Sequence, residues 1–187
     1  MKGKGIRVVL PEIVYDGTTG DATVVAYDPG GVTGWAVFSV HPVSLIRPEY
    51  KVLENVTHFT CGQFIGTEFA QATAMIELAR EWPGAALVVE DFLLRKFDAS
   101  RNLLSPVRLT AAFRYTLLSV DKRAAHMQQP SLAMTTMTDE RLKATGYFER
   151  TVGVPHARDA VRHCLTFLKR LKMQPELLRS TFPALQV

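Results

Sequence analysis

Three carboxylates in this 187-residue chain stand where a strand or a helix would present them. Asp28 closes the β-branched run Thr23-Val-Val-Ala-Tyr-Asp28, just ahead of Pro29-Gly30-Gly31. Glu90 closes the apolar run Ala85-Ala-Leu-Val-Val-Glu90, and Asp159 follows Pro155 by four residues at the start of a long helical pattern. In an α/β sheet the strand ends open onto the crevice where ligands bind. Carboxylates gathered there repel one another and are usually held together by cations. Hard oxygen donors suit Mg²⁺ or Mn²⁺, and a pair of such ions stabilises both the attacking and the leaving oxygen of a phosphodiester cleavage. Each acid also has a plainer reading. Asp before Pro-Gly is a common turn former, and Asp in a helix first turn complements the macrodipole. Glu90 is harder to dismiss, because an acid directly after Leu-Val-Val is costly to bury without a partner. Its neighbour Asp91 should point to the opposite face.

Two histidines flank the third acid. His156 precedes Asp159 by three residues and His163 follows it by four, so at helical spacing all three project to one side. A neutral imidazole can ligate a metal or accept a proton. His156 lies within one turn of the acid and is read as functional. His163 is read as a core histidine.

The elements that must position these groups follow from periodicity. Residues 23–28 and 34–40 form a hairpin with its acid at the turn, and residues 58–65 a third strand. Residues 41–57, with Pro42, Pro48 and scattered charges, read as a loop-like insertion. Thr67 caps a helix with Phe69, Ala72, Ile76 and Ala79 on its apolar face, stopped by Pro83-Gly84. Residues 85–90 suit a central parallel strand covered on both faces. A helix is expected from about Ser105-Pro106 to Lys122, and residues 125–129 are expected as a fifth strand. A short helix over 138–146 ends at a glycine, and a final helix runs from Pro155 to about Met173. The order implies an α/β protein with a mixed sheet flanked by helices. The domain expectation is an extension over residues 1–22, a core domain over 23–173 and an unpatterned tail over 174–187.

Composition bounds the rest. With 47% hydrophobic and 21% charged residues the chain can bury a core. Cys61 and Cys164 match no zinc spacing, which fits a reducing compartment. No apolar run approaches the roughly 18 residues that span a bilayer, and the N-terminal apolar stretch is too short for a signal peptide, so a soluble, cytoplasmic protein is expected. The net charge is +4, and the final helix alone carries an equal excess: Arg158, Arg162, Lys169, Arg170 and Lys172 against Asp159. A second basic segment follows Glu90, where Arg95, Lys96 and Arg101 flank Phe92 and Phe97. Such a mixture can grip phosphate and stack on an unpaired base. Phosphate contacts position without reading sequence.

Taken in order, these motifs carry a specific resemblance. Ala26-Tyr-Asp-Pro-Gly-Gly-Val-Thr-Gly-Trp-Ala36 resembles the first-strand motif of RuvC-type Holliday junction resolvases, a branch of the RNase H-like nucleases. Leu87-Val-Val-Glu90 resembles their second acidic strand. His156-Ala-Arg-Asp-Ala160 resembles their C-terminal helix motif, and Thr138-Asp-Glu-Arg-Leu-Lys143 is similar to phage-encoded members. The resemblance spans about residues 23–173. It implies an RNase H-like fold with a mixed five-stranded sheet, three strands antiparallel and the others parallel. It also implies a homodimer that binds four-way DNA junctions and makes paired nicks with Mg²⁺ or Mn²⁺, leaving 5′-phosphate and 3′-hydroxyl ends. Asp28, Glu90 and Asp159 would be the metal-binding carboxylates, with His156 as a further ligand or a general base. Arg95, Lys96, Phe97, Arg101, Lys143, Arg158 and Arg162 are the expected DNA contacts. The lysine that bacterial members carry near the fifth strand has no counterpart in Pro130-Ser-Leu-Ala-Met134, and Lys143 could serve the later basic position. A less selective nuclease acting on forks, flaps and replication intermediates would use the same four residues. A silent scaffold that binds branched DNA is the alternative from outside the enzymes.

Overall fold

The computed structural model describes residues 20–92 and 101–185. The expected N-terminal extension lies outside them apart from its last three residues, as do Arg95, Lys96 and Phe97. Strand β1 (Ala22–Asp28) and strand β2 (Thr33–Val40) form an antiparallel hairpin with Asp28 opposite Gly34. Helix α1 (Val43–Ile46) and a 3₁₀ turn (Val52–Asn55) lead into β3 (Val56–Phe64), which pairs antiparallel with β2. Helix α2 (Glu68–Glu81) crosses to β4 (Ala86–Glu90), and α3 (Arg101–Ser119) crosses to β5 (Ala125–Gln128). Both of those strands run parallel, β4 beside β1 and β5 beside β4, so the sheet order is β3-β2-β1-β4-β5. Three short helices and one long one complete the chain: α4 (Pro130–Thr136), α5 (Asp139–Ala144), α6 (Pro155–Met173) and α7 (Pro175–Thr181).

The period of two along each strand divides the core into two layers. Val25, Tyr27, Trp35, Leu87 and Val89 pack with Met75, Leu78, Phe113 and Leu117 of α2 and α3. Val24, Ala26, Ala36, Phe38, Cys61 and Val88 pack on the other face, with Val161, Cys164, Leu165 and Leu168 of α6. The same alternation assigns the polar strand ends. Asp28 continues the Val24, Ala26 series, Glu90 continues Ala86, Val88, and Gln63 continues Phe59, Cys61, so all three belong to the α6 face. Asp91 falls on the opposite parity, as its place after Glu90 requires.

Several expectations are corrected. Residues 41–57 are not a plain loop: Leu45 is buried beneath α6, and Lys172 donates to the carbonyls of Ser44 (3.0 Å) and Arg47 (3.1 Å) and to that of Tyr50. In α2 the inward face is Gln71, Ala72, Met75, Leu78 and Ala79, whereas Phe69 is 83% exposed. A polar anchor turns the helix. Gln71 accepts from the Thr33 hydroxyl (2.6 Å) and donates to the carbonyls of Gly31 (2.9 Å) and Gly66 (3.1 Å), tying α2 to the hairpin turn. Helix α3 starts four residues before Ser105 and carries Pro106 in its interior. Helices α4 and α7 were not expected. Each is seven residues long, too short to show periodicity, and the only local sign is a proline at its first turn. The cap of α2 is as expected, Thr67 Oγ1 accepting from Ala70 N at 3.2 Å, and so are the limits of α6.

One contact sets how α6 meets the sheet. A Cβ at position 34 would overlap the main-chain carbonyl of His156 and lie 2.8 Å from the amide nitrogen of Ala157. Only glycine lets the first turn of α6 approach β2 this closely. Gly34→Ala is expected to push that turn off the sheet and to lower stability by about 3 kcal/mol or more, read as a shift of the urea midpoint at unchanged slope.

Candidate active site

Asp28 and Glu90 end adjacent parallel strands. Tyr27 pairs with Val89, one residue before each acid, so the two carboxylates emerge side by side at the carboxyl edge of the sheet. Helix α6 passes over that edge and adds His156 from its first turn, Asp159 from the next and His163 one turn further. The helix start has no side-chain cap of its own. Instead the His156 amide donates to Gln63 Oε1 of β3 at 3.1 Å, satisfying one of the unpaired amides of a helix start. Gln63 lies opposite Gly34 in the sheet register. Close approach and capping are therefore provided by one rung of the β2–β3 ladder.

These side chains line an open cavity of about 270 Å³. Its polar wall is Asp28, Glu90, His156 and Asp159, with Arg162 and His163 behind them. Pro130, Ala133 and Met134 of α4 form an apolar wall. Each acid has a nitrogen partner. His156 Nδ1 lies 2.9 Å from Asp28 Oδ2, His163 Nε2 lies 2.9 Å from Glu90 Oε2, and Arg162 Nη1 donates to Asp159 Oδ1 at 3.2 Å. The partners do not cancel the cost of gathering the acids. Burial, reinforced by the charges of Glu90 and Asp159, pushes the Asp28 carboxyl up to about 6 against the hydrogen bond from His156. Burial also raises Asp159, opposed by Arg162. The hydrogen bond to Asp28 raises His156 against desolvation. Acids shifted upward together in one cleft mark a site that holds more negative charge than its own partners neutralise.

The four residues expected to carry chemistry, Asp28, Glu90, His156 and Asp159, thus share one cavity. His163 was read as a core residue, and it is 1% exposed, but its ring also reaches Glu90 and lines the cavity. Its spacing from Asp159 was the available signal, and only the packing of α6 over β4 supplied the contact.

The expected basic face of α6 is different from a free phosphate-binding surface. Arg162 is 4% exposed and is clamped between Asp159 and Asp139, with its Nε donating to the Met137 carbonyl at 3.2 Å. It braces the site from within and lines the cavity instead of standing on an open face of α6. Lys172 is committed to the main chain of the 41–57 segment. Arg158 stacks on Phe148, its guanidinium 4.1 Å from the ring centroid, and donates to the Thr151 carbonyl at 3.1 Å. Lys143 is exposed, with its Nζ 4.8 Å from the same ring centroid. Arg101 opens α3.

As the side chains stand, no group of three His, Cys, Asp or Glu among the described residues is disposed to hold a metal ion. The nitrogen partners occupy one oxygen of each acid. The donor chemistry nevertheless fits a hard divalent cation: three carboxylates and an imidazole face one cavity, and burial, with the neighbouring acids adding to it, raises Asp28 and Asp159, a cost that such an ion would offset.

Two solved structures are similar to this chain. One is described as Thermus thermophilus RuvC in complex with Holliday junction substrate (TM-score 0.58) and the other as Thermus thermophilus RuvC (TM-score 0.59). Each is 13% identical, and each alignment covers 81% of this chain and 96% of the other. No family model matches the sequence, and no curated protein matches it. At that identity the likeness establishes the architecture: a mixed five-stranded sheet of order 3-2-1-4-5 flanked by helices, RNase H-like as in RuvC. It lends no support to the resemblance to phage-encoded members. No described helix is long and apolar enough to cross a membrane.

The charge balance gives stability a definite pH dependence. Asp28 titrates near 6 when folded against 3.8 as its ordinary value, so the folded chain binds the extra proton between these values. Stability from this group is complete below pH 4 and is lost as pH rises through 6. The raised His156 acts with the same sign, its contribution being present at acid pH and lost as its folded value is passed. Without added metal, the protein should therefore lose about 3 kcal/mol through Asp28 between pH 4 and pH 8. Asp28→Asn should remove that part of the slope and be the more stable protein at pH 8, as measured by urea unfolding in EDTA across this range.

Proposed function

We propose that this protein is a metal-dependent, structure-selective DNA endonuclease that resolves Holliday junctions and related branched DNA. The observation that carries this reading is the convergence of Asp28, Glu90, His156 and Asp159 in one open cavity at the carboxyl edge of an RNase H-like sheet. The similarity to a RuvC described in complex with a Holliday junction substrate supports the substrate class.

Asp28, Glu90 and Asp159, with His156, would hold one or two Mg²⁺ or Mn²⁺ ions. Bound there, such ions activate water and neutralise charge on the scissile phosphate. The protein's own groups set the frame for that chemistry. The two strand-end carboxylates are fixed by sheet register, so the distance between them does not depend on loop conformation. Asp28 holds His156 through Nδ1 and leaves Nε2 as the ring's remaining site for a ligand or for a proton taken from water. Arg162 restrains Asp159 from behind without entering the solvent. The apolar wall of Pro130, Ala133 and Met134 limits water on one side of the cavity. Release of the 3′ oxygen leaves 5′-phosphate and 3′-hydroxyl ends.

Phosphate contacts are assigned to Lys143 and Arg158, which share the Phe148 ring, and to the segment with Arg95, Lys96, Phe97 and Arg101 that follows Glu90 in the chain. Paired nicks across one junction require two such sites, and a homodimer supplies them by symmetry.

Asp28→Asn should abolish cleavage of a four-way junction in Mg²⁺ or Mn²⁺ while retaining junction binding in a gel-shift assay. Cleavage at the wild-type rate by this variant would refute the site. The wild type should prefer the four-way junction over a fork, a flap and a linear duplex. Equal cutting of all the branched substrates would favour the less selective nuclease. Tight junction binding with no cleavage in either metal would favour a scaffold.

A further inference from the structure

We infer that Gln128 and His163 form a directed hydrogen-bond relay that positions the carboxylate of Glu90. The inference rests on the proposed function only for its consequence in metal binding; the relay itself rests on geometry.

Glu90 and Gln128 are the last residues of neighbouring parallel strands and stand opposite each other in register. The main chain reinforces the pairing, since the Asp91 amide donates to the Gln128 carbonyl at 2.9 Å. His163 of α6 lies over both side chains. Gln128 Nε2 is 2.9 Å from His163 Nδ1 and 3.1 Å from the His163 main-chain carbonyl, while His163 Nε2 is 2.9 Å from Glu90 Oε2. Gln128 and His163 are each 1% exposed.

The direction of the relay follows from what each atom can do. A main-chain carbonyl only accepts, so the Gln128 atom facing it is the amide nitrogen, and the same NH₂ group donates its second hydrogen to Nδ1. A neutral imidazole that accepts at Nδ1 carries its proton on Nε2, and that proton points at the carboxylate. The amide donor at Nδ1 and the carboxylate at Nε2 therefore agree on one tautomer, which supplies Glu90 with a donor. Gln128 Oε1 is buried without a hydrogen-bond partner among the described residues. The amide thus leaves its acceptor unused while both its hydrogens are engaged.

His163 is accordingly a positioning residue and Gln128 the group that holds its ring from behind, at Nδ1. Both stand behind Glu90, as outer partners stand behind metal ligands, where removing such a partner typically weakens metal binding about 10- to 100-fold. His156 does not share this arrangement, since its ring meets Asp28 at Nδ1 and is 42% exposed.

The test has two independent readouts. In the metal-free protein, long-range ¹H–¹⁵N correlation on the His163 ring should report the Nε2–H tautomer, and Gln128→Leu should move the Nδ1 resonance to that of a ring nitrogen accepting no hydrogen bond. Observation of the Nδ1–H tautomer in the wild type, or an unchanged Nδ1 resonance in Gln128→Leu, would overturn the relay. For positioning, Mn²⁺ titration followed by electron paramagnetic resonance should show His163→Phe binding at least about 10-fold more weakly than the wild type. His163→Gln, whose amide can again donate to Glu90, should recover most of the loss. Equal Mn²⁺ affinity in wild type and His163→Phe would overturn the positioning role, as would a His163→Gln no better than His163→Phe. If His163→Phe does not fold, Gln128→Leu takes its place in the titration. A wild type that binds no Mn²⁺ would count against the metal-dependent function and the positioning role, with the tautomer readout still deciding whether the relay exists.

Discussion

The first turn of α6 meets the β1–β2 hairpin at a place where a side chain has no room. Gly34 lies under the main chain of His156 and Ala157, and Gln63, its neighbour across the ladder, accepts from the His156 amide. This contact sets the height and angle of α6 over the sheet. Because α6 is one rigid helix, the same contact sets where Asp159 and His163 fall, about one and two turns along. A candidate site built from strand ends and a crossing helix depends on this single distance.

Gathering three acids at that crossing is electrostatically uphill, and the surrounding structure shows how the fold tolerates it. Every acid meets a nitrogen group from α6: Asp28 meets His156, Glu90 meets His163, and Asp159 meets Arg162. These partners hold the carboxylates in place but leave Asp28 and Asp159 above their ordinary range, because burial outweighs the partner. A site arranged in this way gives up stability near neutral pH in return for a concentrated negative charge.

The net charge of +4 is organised differently from its distribution in the sequence. The five basic residues of α6 look like a continuous phosphate-binding face when read along the chain. In the fold they point in several directions. Arg162 is an internal clamp, Lys172 joins the 41–57 segment to the helix, and Arg158 stacks over Phe148. Long cationic side chains bury their stems and satisfy main-chain carbonyls as readily as they face solvent, so a count of charges says little about which of them remain available to a polyanion.

Much of the architecture was legible in local pattern. The strands β1 to β5, the cap of α2 at Thr67, the glycine at the end of α5 and the start of α6 at Pro155 follow from periodicities and capping signals that operate over a few residues. The four candidate catalytic residues were legible for the same reason, since an acid at the end of an apolar strand and a histidine three residues before an aspartate are local features. Helices α4 and α7 were too short to announce themselves, and the inward face of α2 was turned by Gln71, whose partners lie in the hairpin turn. The choice of partners was decided by tertiary structure alone. His163 reaches a carboxylate 73 residues earlier in the chain, and Gln128 reaches His163 across 35. A histidine on a buried helix face has the same local pattern whether it only fills the core or also orients an acid. The difference lies in which strand ends beneath it, and chain spacing holds no record of that until the sheet has formed and α6 has been seated on Gly34.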